Sequence, residues 1–308
     1  MLRGLRHDFW KERLKSMLVT LIIAGLCLGS IYGLIALGYS LIYKASGLMN
    51  MAMGDLLTFG AFVGVTFANV LGLPFFLSLI LTMVIMFFVG IVIERGAIRI
   101  ILNKTGHNAT FVILATIGIS YVLRNGEQFI WGTAQYRFPA IIEGVSGVKL
   151  AGKTIMIENI VCIAVTAICM VALHFFMNKT RFGTAMRAAA LDPLAAKSCG
   201  INVSLTTGVT WGIASGVAAI GGILIGPMYG VYTMLGAGLG RKGFASAVSG
   251  GYGNMYGAMV GGFLVGIVET LIAGYVSSKY KDMFTYGMLL LFLFAKPTGL
   301  FNEKALQD

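Results

Sequence analysis

R-F-G-T-A-M-R-A-A-A-L-D-P-L-A-A-K-S-C-G-I-N, residues 181–202, is the longest run in this 308-residue chain that reads as a water-facing helical element, and apolar spans flank it on both sides. Arg187 to Leu191 are good helix formers. Asp192-Pro193 supplies an N-cap followed by proline at the first helical position, and Ala195-Ala196-Lys197-Ser198 carry on to a stop at Gly200. A short helix pinned between two spans, with small residues on one face, has little to bury against in its own chain. It is built to be gripped by something else.

Composition agrees with the flanks. The chain is 57% hydrophobic and 11% charged, with a mean hydropathy of +0.86. Soluble domains carry about 25% charged residues, so this chain lacks the polar groups to cover a water-facing surface. It reads as an all-α polytopic membrane protein, one transmembrane domain over residues 1–308 with about eight transmembrane helices. Forty-two glycines against five prolines suit spans that pack closely. The net charge of +11 does not point to nucleic acid, because the basic residues sit in short segments between apolar runs.

Residues 1–16 alternate basic and apolar side chains and read as an interfacial amphipathic helix. Apolar runs follow at about 17–43, 56–71, 75–93, 109–125, 155–177, 205–226, 256–275 and 284–296, most of them near the roughly 20 residues a membrane requires and the last shorter. The basic segments 94–104 and 179–202 fall on the cytoplasmic side, and 127–154, with Pro139, Gly144, Gly147 and Gly152, reads as an outer loop. Three runs between the basic N-terminus and the basic 94–104 segment leave the count odd. Either one run crosses halfway, with 44–55 the place to look, or the N-terminal helix lies on the outer face despite its charge. The segment 227–255 likewise has to contain a short or interrupted helix.

Those two broken stretches are the candidate substrate route, since unwound backbone at membrane depth has to be surrounded by protein or line a cavity. The first contributes Asn50, Met51, Met53, Gly54 and Asp55; the second contributes Gly250, Gly251, Tyr252 and Gly253. Bulky replacements at Gly54 or Gly251 should then block the path without loss of assembly. Asp55 either caps the helix that follows it or serves the route. Glu269, the other intramembrane acid, could reach the interface from the outer end of its span.

Enzymatic chemistry finds no support. Gly238-Leu-Gly240-Arg-Lys-Gly243 matches a dinucleotide fingerprint by spacing alone, without the βαβ context it requires. No phosphate-cradling loop of the ATPase type is present, so the chain cannot itself cradle ATP phosphates. His7, His107 and His174 lack ligand-spaced partners, and no metal site is expected. Cys27, Cys162, Cys169 and Cys199 read as small core residues. A chain with no motor of its own and a docking helix fits a permease driven by separate ATPases. An ion-coupled secondary transporter or channel is the reading from another class.

The chain resembles the LivH-type permease subunits of ABC importers for branched-chain and other hydrophobic amino acids. The resemblance rests on Gly29–Tyr39, Met49–Asp55, Thr116–Ser120 with Leu123-Arg124-Asn125, Gly183–Ile201, Phe244–Gly262 and Pro297–Leu300. It implies a prokaryotic cytoplasmic-membrane protein paired with a LivM-type permease, two cytoplasmic ATPase subunits and an extracytoplasmic binding protein. It also implies that 181–202 is a cytoplasmic coupling-helix loop, with the helix around Asp192 to Gly200 seated in an ATPase groove. Arg187, Ala189, Asp192, Pro193, Ala195, Ala196, Lys197, Gly200 and Ile201 are its candidate contacts: small Ala195 and Ala196 permit close approach, and Arg187 and Lys197 can pair with acids. The sequence departs from the family at Met53, where histidine is usual, which points to a more apolar or different ligand. Permeases for urea, short-chain amides or nucleosides share the architecture.

Overall fold

A computed structural model describes residues 2–105, 108–139, 141, 147–150, 153–296 and 298–301. The amphipathic face expected of residues 1–16, His7, His107, Gly144, Gly152 and Pro297 lie outside the described residues or side chains. Among the described residues, seven helices are long and apolar enough to cross a membrane.

Helix α1 (Leu2–Ser46) has 45 residues, roughly 68 Å at 1.5 Å per residue, about twice the hydrocarbon thickness of a bilayer. Its apolar part begins at Met17. An extended break over 47–52 leads to α2 (Met53–Val65), which ends in a π-helical turn at Val70. Helix α3 (Phe75–Ile93) continues through another π-helical turn into α4 (Arg99–Lys104). The basic segment 94–104 is therefore the end of a span rather than a loop. Pairing explains the difference: Glu94 is buried and accepts from Arg99 at 2.6 Å, and Arg99 also donates to the Ser204 carbonyl at 2.6 Å.

Helix α5 (Ala109–Trp131) runs six residues past the expected span end, and Tyr136 bridges to Val231 beyond it. The outer segment also holds a short antiparallel hairpin, β1 (Val148–Leu150) with β2 (Lys153–Ile155). Then come α6 (Ile157–Lys179), α7 (Arg181–Leu191), α8 (Pro193–Ser198), α9 (Val203–Tyr229), α10 (Leu235–Gly250), α11 (Met255–Ile272) and α12 (Lys281–Ala295). The last of these and α10 are the shorter helices that complete the bundle.

Small residues decide which helix is central. The apolar window of α9 is 89% buried and that of α5 only 11%. Where α9 carries Gly212, Ser215, Gly216 and Gly222, neighbouring backbones come to contact: a methyl group added at Gly222 would lie 2.3 Å from the Leu57 carbonyl oxygen. A second seam joins α1 and α11, pairing Gly25 with Ile267, Gly29 with Phe263 and Gly33 with Met259. That register is antiparallel. It puts the N-terminal end of α1 at the opposite end of the bundle from Arg99 and α8, so three passes separate 2–16 from 94–104 and the odd count is real.

Candidate functional site

Two helices begin inside the membrane rather than at its surface. Met53, the first residue of α2, packs against Gly38 and so starts about two turns back from the end of α1. From there α2 runs toward Trp131, whose indole N–H donates to Thr66 at 2.8 Å. Helix α10 begins beside the same point, with Gly236 and Gly240 on Gly54, and runs the other way to end with Gly250 against Gly257. The starts of the two helices therefore meet part-way along the bundle and diverge. Neither has a side-chain N-cap, so N–H groups of both first turns remain for other acceptors. Gly238, Gly240 and Gly243 lie inside α10 as helical residues, which excludes the dinucleotide fingerprint.

A cavity of about 280 Å³ opens where the two starts meet, just below the range of about 300–1,000 Å³ common for small-molecule sites. Met51, Gly54 and Asp55 line one wall and Gly236, Ala237 and Arg241 another. Ser120 and Arg124 of α5 close the polar side; Tyr39, Phe244, Tyr286 and Leu289 supply apolar surface. Asp55 is buried and accepts from Arg124 Nη2 at 2.9 Å and Nε at 3.1 Å, and from the Ser120 hydroxyl. It makes no cap to its own helix, whose N-cap position is Ala52. The cavity thus offers a fixed ion pair, the exposed guanidinium of Arg241 and two helix starts beside an aromatic wall.

Other residues expected on the route have different work. Asn50 is fully buried and its side-chain oxygen accepts from the Ala52 N–H at 3.0 Å, holding the break. Met53 faces the core between Gly38 and Asn50, away from the cavity, because the first turn of α2 points that side inward. Gly250 packs on Gly257, and Gly251 (φ +113°) and Gly253 (φ +98°) adopt backbone conformations that favour glycine. Tyr252 packs edge-on against Tyr43 and Phe244 and tilted against Tyr39. Glu269 does not reach the interface: it is 2% exposed and accepts from Lys242 at 2.6 Å and from Tyr32 at 2.8 Å, with Lys281 at 3.4 Å. Lys242 also meets Asp282 at 2.8 Å.

Several residues of the site were not assigned from the sequence. Thr116, Ser120, Arg124 and Glu127 recur at helical spacing along one face of α5, and that polar stripe on an otherwise apolar helix is the available signal. Thr116 accepts from the Met51 N–H at 3.1 Å, and Glu127 is fully buried. Arg124→Lys keeps the charge but loses the forked contact to Asp55, with an expected cost of about 1 kcal/mol. A thermal melt of the purified protein that matches wild type would show that the pair does not hold α2 to α5.

At the end of the bundle that carries Arg99, α7 buries Gly183, Met186 and Ala189 on its own chain. In α8, Asp192 caps the Leu194 and Ala195 N–H groups at 2.8 and 3.0 Å, Pro193 is the first residue, and Gly200 (φ +80°) ends the turn before Ile201 donates to the Ala196 carbonyl at 3.0 Å. The small-residue face is split: Ala195 and Lys197 are exposed, whereas Ala189 and Ala196 face inward and are closed to a partner. Leu191 and Leu194 are 75% and 76% exposed and form the apolar surface there instead. Arg187 turns aside to Asn178 and Thr184, and Cys199 is exposed rather than in the core.

A family model described as "Branched-chain amino acid transport system / permease component" matches residues 21–293. The chain is similar to the high-affinity branched-chain amino acid transport system permease protein LivH of Salmonella typhimurium, 32% identical over 294 residues that cover 91% of this chain and 94% of that one. It is likewise 33% identical to LivH of Escherichia coli K12, over 91% of this chain and 94% of the relative, and 33% identical to BraD of Pseudomonas aeruginosa, over 92% and 95%. A multi-helix membrane bundle with discontinuous helices at mid-depth, matched along nearly its whole length, belongs to the branched-chain amino acid transport system permease component family.

Proposed function

We propose that this chain is the LivH-type half of an ATP-driven importer for branched-chain amino acids in a prokaryotic cytoplasmic membrane. In this reading it pairs with a LivM-type permease, receives its cargo from an extracytoplasmic binding protein, and carries two ATPase subunits on its cytoplasmic end. ATP and magnesium are held by those subunits. The cargo passes the cavity between the starts of α2 and α10, where Arg241 and the two helix starts suit a carboxylate, Asp55 suits an ammonium group, and Tyr39, Phe244 and Leu289 suit an aliphatic side chain.

The observation that carries the reading is α8. A six-residue helix with a capped start and a glycine stop presents the nearly bare Leu194 to water, beside the equally bare Leu191 at the end of α7, which is costly unless a partner covers them. Seated in an ATPase groove, Leu191 and Leu194 become central contacts of the kind worth 2 kcal/mol or so each.

Leu194→Asp should lower leucine uptake by the complete complex in proteoliposomes about tenfold, with ATP hydrolysis no longer stimulated by the loaded binding protein. Asp192→Ala should have a smaller effect, since losing the cap costs about 1 kcal/mol. Wild-type uptake and stimulation in Leu194→Asp would remove α8 from the coupling path.

A further inference from the structure

A second cavity, of about 160 Å³, lies at the cytoplasmic end and is separate from the transport cavity. Lys44 at the end of α1, His174 and Asn178 of α6, Arg187 of α7, and Asn254 and Tyr256 at the start of α11 supply its polar walls. Among the described residues, no carboxylate lines it. The side chains are already tied together: Arg187 donates to Asn178 at 3.3 Å, Asn178 bonds His174 at 2.9 Å, and the Tyr256 hydroxyl meets the same His174 nitrogen. Arg187 has only neutral oxygens as partners among the described residues, at 3.3 and 3.5 Å, too long and too weakly charged to satisfy a guanidinium. From this pocket α6 carries Phe175, Val171 and Ile168 back along the bundle, all more than half exposed.

A cationic, donor-rich cavity at the membrane surface beside a bare apolar stripe has the shape of an amphiphile. We propose that it binds an anionic phosphate group, presented as the headgroup of a cytoplasmic-leaflet phospholipid whose acyl chains lie along Ile168, Val171 and Phe175. Arg187 takes the phosphate oxygens with its planar fork, and His174 and Tyr256 close the other side. This assignment is independent of the coupling role proposed for α8, and it gives Arg187 a ligand other than an ATPase carboxylate.

The test uses the full complex in nanodiscs of phosphatidylcholine alone, of phosphatidylcholine with phosphatidylglycerol, and of phosphatidylcholine with inorganic phosphate in the buffer. Native mass spectrometry counts retained lipid and a thermal melt reads stabilisation. Phosphatidylglycerol should be retained and should stabilise the complex; Arg187→Gln should weaken that binding about fivefold, the worth of one cation near an anionic surface. Lys179→Gln, an exposed cation outside the cavity, should leave it unchanged. Met170→Trp fills the cavity from an apolar wall and should also expel the lipid, which keeps the test open if Arg187→Gln does not fold. Stabilisation by inorganic phosphate that Arg187→Gln abolishes would support the same site with a free anion as its source. Equal phosphatidylglycerol retention in wild type, Arg187→Gln and Met170→Trp would overturn the assignment. So would loss of the ATPases from Arg187→Gln with lipid retention intact.

Discussion

Lys242→Met is expected to destabilise the protein by about 3–5 kcal/mol, the largest effect of any single charge removal here. Lys242 sits between Glu269 and Asp282, at 2.6 and 2.8 Å, and its side chain is 10% exposed. Without it Glu269, 2% exposed, keeps only the Tyr32 hydroxyl and the more distant Lys281. Glu269→Gln should cost less, because Lys242 retains Asp282, which is 58% exposed and already solvated. The double variant should recover part of the loss, since replacing both members of a buried pair is milder than orphaning one. Melting curves of the four proteins close the cycle. A Lys242→Met protein that melts with wild type, or a double variant worse than the sum of the singles, would show that the network does not tie α10 to α11 and α12.

Gly54→Val should abolish folded protein rather than merely close a path. A β-carbon at Gly54 would lie 2.2 Å from the Gly236 carbonyl oxygen and 3.0 Å from the Gly240 α-carbon, both backbone atoms that cannot rotate away. Overpacking typically costs 1–3 kcal/mol, and this contact belongs at or above about the upper end because two helices have to separate. Even Gly54→Ala should lower the monodisperse yield on size exclusion. Gly118→Ala, on α5 with nothing within 4 Å, should be neutral or gain up to about 1 kcal/mol of helix propensity. The sequence expectation of a blocked route with intact assembly is thus replaced at Gly54. Gly251 follows suit, its φ of +113° being poorly tolerated by any other residue. Equal yields for Gly54→Val and Gly118→Ala would refute the close crossing.

What the sequence made legible follows from which forces are local. Span positions depend on runs of apolar residues, and the Asp192-Pro193 start and Gly200 stop of α8 depend on neighbours three residues apart; both were readable. The two broken stretches could be found because glycine clusters interrupt hydropathy. That they start helices at the same depth was not readable, because the contact of Gly54 with Gly236 joins residues from opposite halves of the chain. The same limit hid Lys242, which looks like a surface charge until Glu269 and Asp282 are brought to it, and Arg124, whose meaning lies in Asp55. Which side of α8 faces out was not readable: residue size suggested Ala196 for a partner, while the packing of α8 on α9 buries Ala196 and leaves Leu194 exposed.

The meeting of the two half-helices also sets an order of events during synthesis. When α2 leaves the ribosome, Met53 can already pack on Gly38 of α1, but Gly54 beside it has no cover, because Gly236 and Gly240 belong to a segment translated much later. At about 5–20 residues per second the interval is on the order of ten seconds or more. For that time a nascent chain carries the uncovered backbone of Gly54 within the bilayer, while the carboxylate of Asp55 waits only until Ser120 and Arg124 of α5 are made. Such a chain should dwell beside the insertion machinery, and ribosome-stalled versions ending before Leu235 should remain crosslinkable to it while those extended past Gly250 are released.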